Sequence, residues 1–163
     1  MSRLAVEKAR ELHERHPGMS IPVEVELLAE DEGCELIDWP FLEPVKEVKQ
    51  GRWIGLAHGL NSRERRHLIA HALAHHLLHC GNQLAFHQHW QGEPARQERE
   101  AEACAAHILM PEPELAKVID LSVWDLADHF DVPEELAFLR INDFATNEER
   151  EQWDEGCEDY IPS

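Results

Sequence analysis

The sequence is poor in basic residues, and this shortage limits the partners it can bind. It carries 15 lysines and arginines against 33 aspartates and glutamates, which gives a formal net charge of -18. Such an excess of acid repels a phosphate backbone or an anionic lipid surface, so we expect neither nucleic acid nor membrane as a direct partner. The one basic cluster, RERR at residues 63–66, is short, and we expect its side chains to be solvated.

Closely spaced cysteines and long apolar runs are also missing. The four cysteines, Cys34, Cys80, Cys104 and Cys157, show no CxxC spacing, which argues against a zinc ribbon or a redox pair. We expect them to be reduced thiols. The N-terminal segment is charged and amphipathic, unlike a signal peptide, and no stretch approaches the roughly 18 to 20 apolar residues of a membrane span. These features predict a cytoplasmic protein.

The sequence does contain enough apolar residues to fold. With 163 residues, of which 43% are hydrophobic, it can form one domain with a real core and is short for two. We expect an α+β fold over residues 1–146, mostly helical, with a small antiparallel sheet. The segment 147–163 is rich in acids, and its composition predicts a flexible tail.

Apolar periodicity and helix-capping residues give the order of the predicted elements. The sequence predicts several helical segments and two short strands, with residues 42–52 as a loop or weak edge strand. The strands are predicted at CELIDWPF and RWIGLAHGL. The helices are predicted before the HPG at 16–18, from Ser20 to Gly33, from Asn61 or Ser62 to about Cys80, over 94–111, from an S-x-x-D cap at Ser122, and from Pro133.

The strongest chemical signal is HALAHHLLH, which begins at His71. Residues four apart on an α-helix differ by about 40° around the axis and about 6 Å along it, so His71 and His75 point the same way. A catalytic zinc needs a third protein ligand and leaves its fourth position to water. The later helix offers two carboxylates on one face, Glu98 and Glu102.

The other histidines have simpler interpretations. His79 lies about 12 Å along the helix from His71, too far to share one tetrahedral ion. His76 points about 100° away from His75, and in a chain with 12 histidines scattered ones such as His107 are expected. Because histidine pairs also arise by chance in such a sequence, a helical domain without metal remains an open alternative.

The segment RRHLIAHALAHHLLH, followed after a loop by EREA and AAHILMP, resembles the ImmA/IrrE family of zinc metallopeptidases, which cleave helix-turn-helix repressors. In that family one helix reads H-E-x-x-H and a later one reads E-x-x-A-[DN]-x-F-A-A-x-L-L-M-P. The resemblance implies Zn²⁺ bound by His71, His75 and Glu98. It places Glu102 where the family has Asp or Asn, a position that supports the site by hydrogen bonding.

Two departures from the family bear on activity and packing. Cys104 replaces a phenylalanine, which we expect to change packing only. Ala72 replaces the glutamate that takes the proton of the zinc-bound water and passes it to the leaving nitrogen. Because that glutamate is not a ligand, alanine should leave the ion bound and remove a step usually worth roughly 10² to 10⁴ in rate.

The alanine at position 72 is compatible with two origins. The interpretation we favour is an inactivating Glu-to-Ala substitution in a metallopeptidase. The alternative is a natural pseudo-peptidase that binds a regulator protein without cleaving it. In both cases the resemblance implies a helix-turn-helix transcriptional regulator as partner. We expect an extended segment of it to pair along the edge of the RWIGLAHGL strand, where main-chain hydrogen bonds supply affinity.

Overall fold

A computed structural model describes residues 3–78 and 93–158 of the chain. The loop predicted after residue 81 lies outside these residues, as does His79. None of the described helices is both long and apolar enough to cross a lipid bilayer. The elements in chain order are α1 (Arg3–Arg15), α2 (Val25–Asp31), β1 (Glu35–Trp39), β2 (Glu47–Gln50), β3 (Trp53–Ala57), α3 (Ser62–Leu78), α4 (Glu93–Leu109), α5 (Glu112–Ala116), α6 (Val123–Phe130), α7 (Glu134–Asn142) and α8 (Asn147–Glu158).

Side-chain caps fix two of the predicted helix starts. The Glu64 N–H donates a hydrogen bond of 2.9 Å to Asn61 Oδ1, so Asn61 rather than Ser62 caps α3. The Asp125 N–H donates to Ser122 Oγ at 3.2 Å, as the S-x-x-D pattern predicts for α6. These caps satisfy backbone donors that the first turn of a helix leaves without a partner.

The predicted fold class is confirmed, but the sheet is mixed rather than antiparallel. Its order is β1-β3-β2, with β1 parallel and β2 antiparallel to β3. The hairpin between β2 and β3 turns at Gly51, whose φ of 56° glycine adopts without strain. Because β2 takes one side of β3, β1 occupies the other side and runs in the same direction as β3.

The position of β3 also contradicts the expected binding mode. As the central strand it has hydrogen-bonded neighbours on both sides, so the prediction that a partner pairs along the RWIGLAHGL strand is wrong. Among the strands that the structure describes, the open edges belong to β1 and β2.

Alanines are frequent among the buried residues of α3 and α4, two helices that pack against each other. Those alanines are at most 2% exposed. Because the distance between packed helices depends on the side chains at the contact, alanines at that contact let the two backbones approach closely. Side chains of α4 can therefore reach those of α3 just outside the apolar interface. The buried alanines are Ala70, Ala72 and Ala74 on α3, and Ala101, Ala103, Ala105 and Ala106 on α4.

Helix α8 covers residues 147–158, where the sequence predicts a flexible tail. Thr146 and Glu149 form a capping box: the Glu149 N–H donates to Thr146 Oγ1 at 3.1 Å, and the Thr146 N–H donates to the Glu149 carboxylate at 2.8 Å. Glu149 also pairs with the fully buried Arg140. These contacts anchor the start of α8 to the domain, whereas the flexibility of residues 147–163 stays a prediction. The domain boundary at residue 146 stays a prediction.

The basic cluster RERR is engaged within the fold instead of being simply solvated. Arg63 and Arg66 both pair with Asp131, at 3.2 and 3.3 Å, and Arg65 pairs with Glu26 at 3.0 Å. These ion pairs connect the first turn of α3 to α2 and to the end of α6. The charge of the cluster is therefore neutralised by acids of the same domain.

The thiol prediction is testable for two of the four cysteines. Cys34 and Cys104 are buried and free, as expected for reduced thiols. Cys80 and the side chain of Cys157 lie outside the part of the chain that the structure describes.

Candidate metal centre

Two imidazoles and one carboxylate meet between α3 and α4. His71 Nε2 lies 3.0 Å from Glu98 Oε2, His75 Nε2 lies 3.1 Å from Glu98 Oε1, and the two Nε2 atoms are 3.2 Å apart. The possible ligand atoms of all three side chains lie within 4.8 Å of one another. The structure thus brings together the three residues that the sequence proposes as ligands. Their role as ligands stays a prediction.

The two helices expose these groups to different degrees. The side chains of His71 and His75 are 14% and 6% exposed, whereas that of Glu98 is 47% exposed. The cluster therefore has buried imidazoles on α3 and a solvent-facing carboxylate on α4. Such a site is accessible to water and to a small ion.

Glu102 supports His71 from the side away from Glu98. Its Oε2 lies 2.9 Å from His71 Nδ1, and its Oε1 lies 2.7 Å from His67 Nε2. A proton on Nδ1 donated to a carboxylate leaves Nε2 available for a metal, which is the supporting role predicted for Glu102. Sequence reasoning missed His67. Its signal was present, since His67 lies four residues before His71 on the same helix face.

Charges within the cluster are strongly coupled. Burial lowers the pKa of His71, but hydrogen bonds to Glu102 and Glu98 outweigh it and raise that pKa to about 10. Burial raises the pKa of Glu102, yet its hydrogen bonds to His67 and His71 bring it down to about 2. Hydrogen bonds to His71 and His75 lower the pKa of Glu98. Ionised carboxylates thus face the imidazoles, as metal ligation requires, and binding a cation would release protons.

The donor set suits zinc. Two imidazole nitrogens and one carboxylate, with one position left for water, are the ligands of hydrolytic zinc sites. The hydrogen bond from His71 to Glu102 matches the carboxylate support that ligating histidines usually have.

Ala72 is fully buried and belongs to the apolar core. Its methyl group offers no proton acceptor at the position of the family glutamate.

His76 and His107, which the sequence does not propose as ligands, make main-chain contacts. His76 Nε2 lies 3.2 Å from the Glu32 carbonyl oxygen, and His107 Nε2 lies 2.8 Å from the Phe144 carbonyl oxygen.

A mostly helical α+β domain that presents two histidines of one helix to a glutamate of the next is typical of zinc metallopeptidases. The family model described as the IrrE N-terminal-like domain, peptidase M78, matches residues 32–142. This match covers more than half of the chain, so the chain belongs to that family, which is one of zinc metallopeptidases. The family resemblance in the sequence is confirmed, and the matched region extends beyond the motifs that carried it.

One solved structure with a similar fold is a transcriptional regulator from Mycobacterium tuberculosis. It aligns with a TM-score of 0.66 and 17% identity, over 92% of this chain and 50% of that one. The present chain therefore spans about half the length of that protein, and at this identity the similarity shows the fold alone. No curated protein matches the sequence.

Proposed function

We propose that the chain is a zinc-dependent metallopeptidase domain that acts on a helix-turn-helix transcriptional regulator, and that Ala72 makes it largely inactive. The observation that carries this proposal is the convergence of His71, His75 and Glu98 from two helices. Family membership supports the reaction class. The name of the similar Mycobacterium tuberculosis protein, a transcriptional regulator, supports a regulatory setting.

Each residue of the cluster would have a distinct role in such a site. His71 Nε2, His75 Nε2 and Glu98 would hold Zn²⁺, which when bound acidifies a water and polarises the scissile carbonyl. Glu102 keeps a proton on His71 Nδ1 and fixes the ring. Ala72 cannot accept the proton of the water, which should slow the reaction roughly 10²- to 10⁴-fold.

The partner segment is best placed along β2. Of the two open edges, β2 packs against α3, the helix that carries both histidines. The described ion pair between β1 and α3 joins Asp38 to Arg65 in the first turn of that helix, before the histidines. An extended peptide added to β2 would gain main-chain hydrogen bonds while running past the cluster. This replaces the expectation of pairing along β3.

A pseudo-peptidase that binds a regulator without cutting it is the second candidate. The complete burial of Ala72 among apolar residues favours it, because the packing accommodates alanine there without a buried charge.

Zinc content tests the site. Protein purified without a nickel column should contain about one equivalent of zinc, and His71→Ala or Glu98→Ala should contain less than about half an equivalent. His76→Ala is the matched control, because His76 lies on the same helix and contacts the Glu32 carbonyl instead. Mass spectrometry measures the zinc content. Equal zinc content in all variants would contradict the proposed site.

Restoring the glutamate separates the two candidates. Ala72→Glu should raise cleavage of a random-sequence library of quenched fluorescent peptides roughly 10²- to 10⁴-fold. A zinc-loaded Ala72→Glu protein that cleaves none of them, nor a candidate helix-turn-helix repressor that it binds, would favour the pseudo-peptidase.

A further inference from the structure

Glu47 projects from β2 toward the interior. In the antiparallel register Glu47 pairs with Leu56, and Lys49 pairs with Ile54. Directly opposite residues project to the same face of a sheet. Leu56 and Ile54 are fully buried and Lys49 is 8% exposed, so this is the covered face. The register therefore directs Glu47 into the covered face, beside Lys49 and opposite the core residue Leu56.

Glu47 interacts electrostatically with the three candidate metal ligands. Burial raises its pKa, the charges of His71 and His75 oppose that rise, and the charge of Glu98 adds to it. Lys49 is the other charged group that acts on it. The carboxyl group of Glu47 makes no hydrogen bond or ion pair to any residue in 3–78 or 93–158. An acid without such a partner thus faces the cluster from the sheet.

Glu47 stands outside the set of possible ligands. The atoms that lie within 4.8 Å of one another come from His71, His75 and Glu98, and Glu47 is not among them. A carboxylate that is not part of this group, yet interacts electrostatically with its members, can accept a hydrogen bond from a water between itself and the cluster. A general base needs this arrangement, because it acts on the water without binding the metal.

We propose that Glu47 accepts the proton of the attacking water in this chain. Ala72 cannot fill this role, because its side chain has no proton acceptor. This proposal rests on the proposed function. The water transfers a proton to a Glu47 carboxyl oxygen while its own oxygen bonds to the scissile carbonyl carbon. The C–N bond then breaks as Glu47 returns the proton to the leaving nitrogen. The residual peptidase activity of the chain depends on Glu47.

Metal binding gives a test that needs no substrate. Glu47→Gln should weaken zinc binding about tenfold in competition with a chromophoric chelator, because it removes a negative charge close to the bound cation. Glu43→Gln removes the same charge from an exposed position just before β2 and should stay within about twofold of the unsubstituted chain. The visible absorption bands of the Co²⁺-loaded protein should keep their positions in Glu47→Gln. Unchanged zinc affinity, or shifted bands that indicate a lost ligand, would overturn the proposal.

Cleavage of the quenched peptide library tests the proton transfer itself. Glu47→Gln should lower the residual rate at least about tenfold, Glu43→Gln should not, and Ala72→Glu with Glu47→Gln should be as active as Ala72→Glu alone. Equal residual rates in Glu47→Gln and Glu43→Gln would overturn the role of Glu47. So would a zinc-loaded unsubstituted chain that cleaves nothing while Ala72→Glu cleaves. A chain without zinc, or failure of cleavage in Ala72→Glu as well, would instead contradict the peptidase function on which the proposal rests.

Discussion

Two clusters of histidine and glutamate bring possible ligand atoms within 4.8 Å of one another: His71, His75 and Glu98 in the α3–α4 cluster, and His107, Glu112 and Glu149 in the α4–α8 cluster. Both clusters satisfy the same distance limit. They differ in what neutralises their acids. In the α3–α4 cluster the carboxylates face imidazoles, which can exchange a proton for a cation.

In the α4–α8 cluster each acid already has an arginine. Glu112 accepts two hydrogen bonds of 2.9 Å from Arg10, and Glu149 accepts one of 2.9 Å from the buried Arg140. Arginine stays protonated, so a divalent cation there would meet two fixed positive charges at short range. Charge balance around the acids, rather than proximity, therefore separates a candidate metal site from a structural ion-pair network.

The largest effect should come from removing the buried acid of the α4–α8 cluster. Glu149→Ala leaves the charge of Arg140 without its carboxylate and removes the acceptor of the Thr146 N–H, so the free energy of unfolding should fall by about 3 to 5 kcal/mol. Urea unfolding measures this change. Zinc content should not change, because the α3–α4 cluster is intact.

Glu148→Ala is the matched control for that change. Glu148 is the exposed neighbour of Glu149 on the same helix, and its removal should alter stability by less than about 0.5 kcal/mol. If both variants lost the same stability, the ion pair would not be what holds this cluster. If Glu149→Ala lost zinc, the distinction between the clusters would fail.

Helix α8 also shows why part of the fold escaped prediction. Its composition resembles that of a disordered tail, and the sequence does not reveal that Arg140 is buried and needs Glu149. The T-x-x-E pattern of Thr146 and Glu149 was readable as a capping box, but many such patterns cap nothing. The strand pairing escaped for a similar reason, because local alternation identifies β1 and β3 without fixing which neighbour each takes.

A smaller effect is expected from the acid behind His71. Glu102→Gln keeps the shape of the side chain but removes the charge that His67 and His71 share, so zinc affinity should fall about 10- to 100-fold. Chelator competition measures it. Glu100→Gln is the control, since Glu100 on the same helix pairs with Arg96 at 3.6 Å. Equal affinities in the two variants would show that His71 needs no support from Glu102.

The candidate site was more predictable than the sheet because its information is local. A helix places His71 and His75 together whatever the rest of the chain does, and a second helical motif supplies Glu98. Glu47 and the contact between His67 and Glu102 depend on how β2 and α4 pack against α3, which no local pattern encodes. Sequence alone therefore found the candidate ligands and missed part of what surrounds them.

A gradual effect, small near neutral pH, concerns the histidine of the α4–α8 cluster and its response to pH. Burial and the charge of Arg140 lower the pKa of His107 to about 3, from 6.5 in an unfolded chain. Above about pH 6.5 both states are neutral, so His107 adds no pH dependence. Below that pH the unfolded state binds the proton first, and stability should fall by up to about 1.4 kcal/mol per pH unit until the native state also binds it.

His107→Gln isolates this effect, because its amide can still donate to the Phe144 carbonyl but does not titrate. Urea unfolding between pH 6.5 and about 3 should show the unsubstituted chain losing stability faster than His107→Gln as the pH falls. Parallel profiles would mean that the native cluster accepts the proton as easily as the unfolded chain. The α4–α8 cluster would then tolerate added positive charge, and the electrostatic reason for excluding a metal ion from it would be lost.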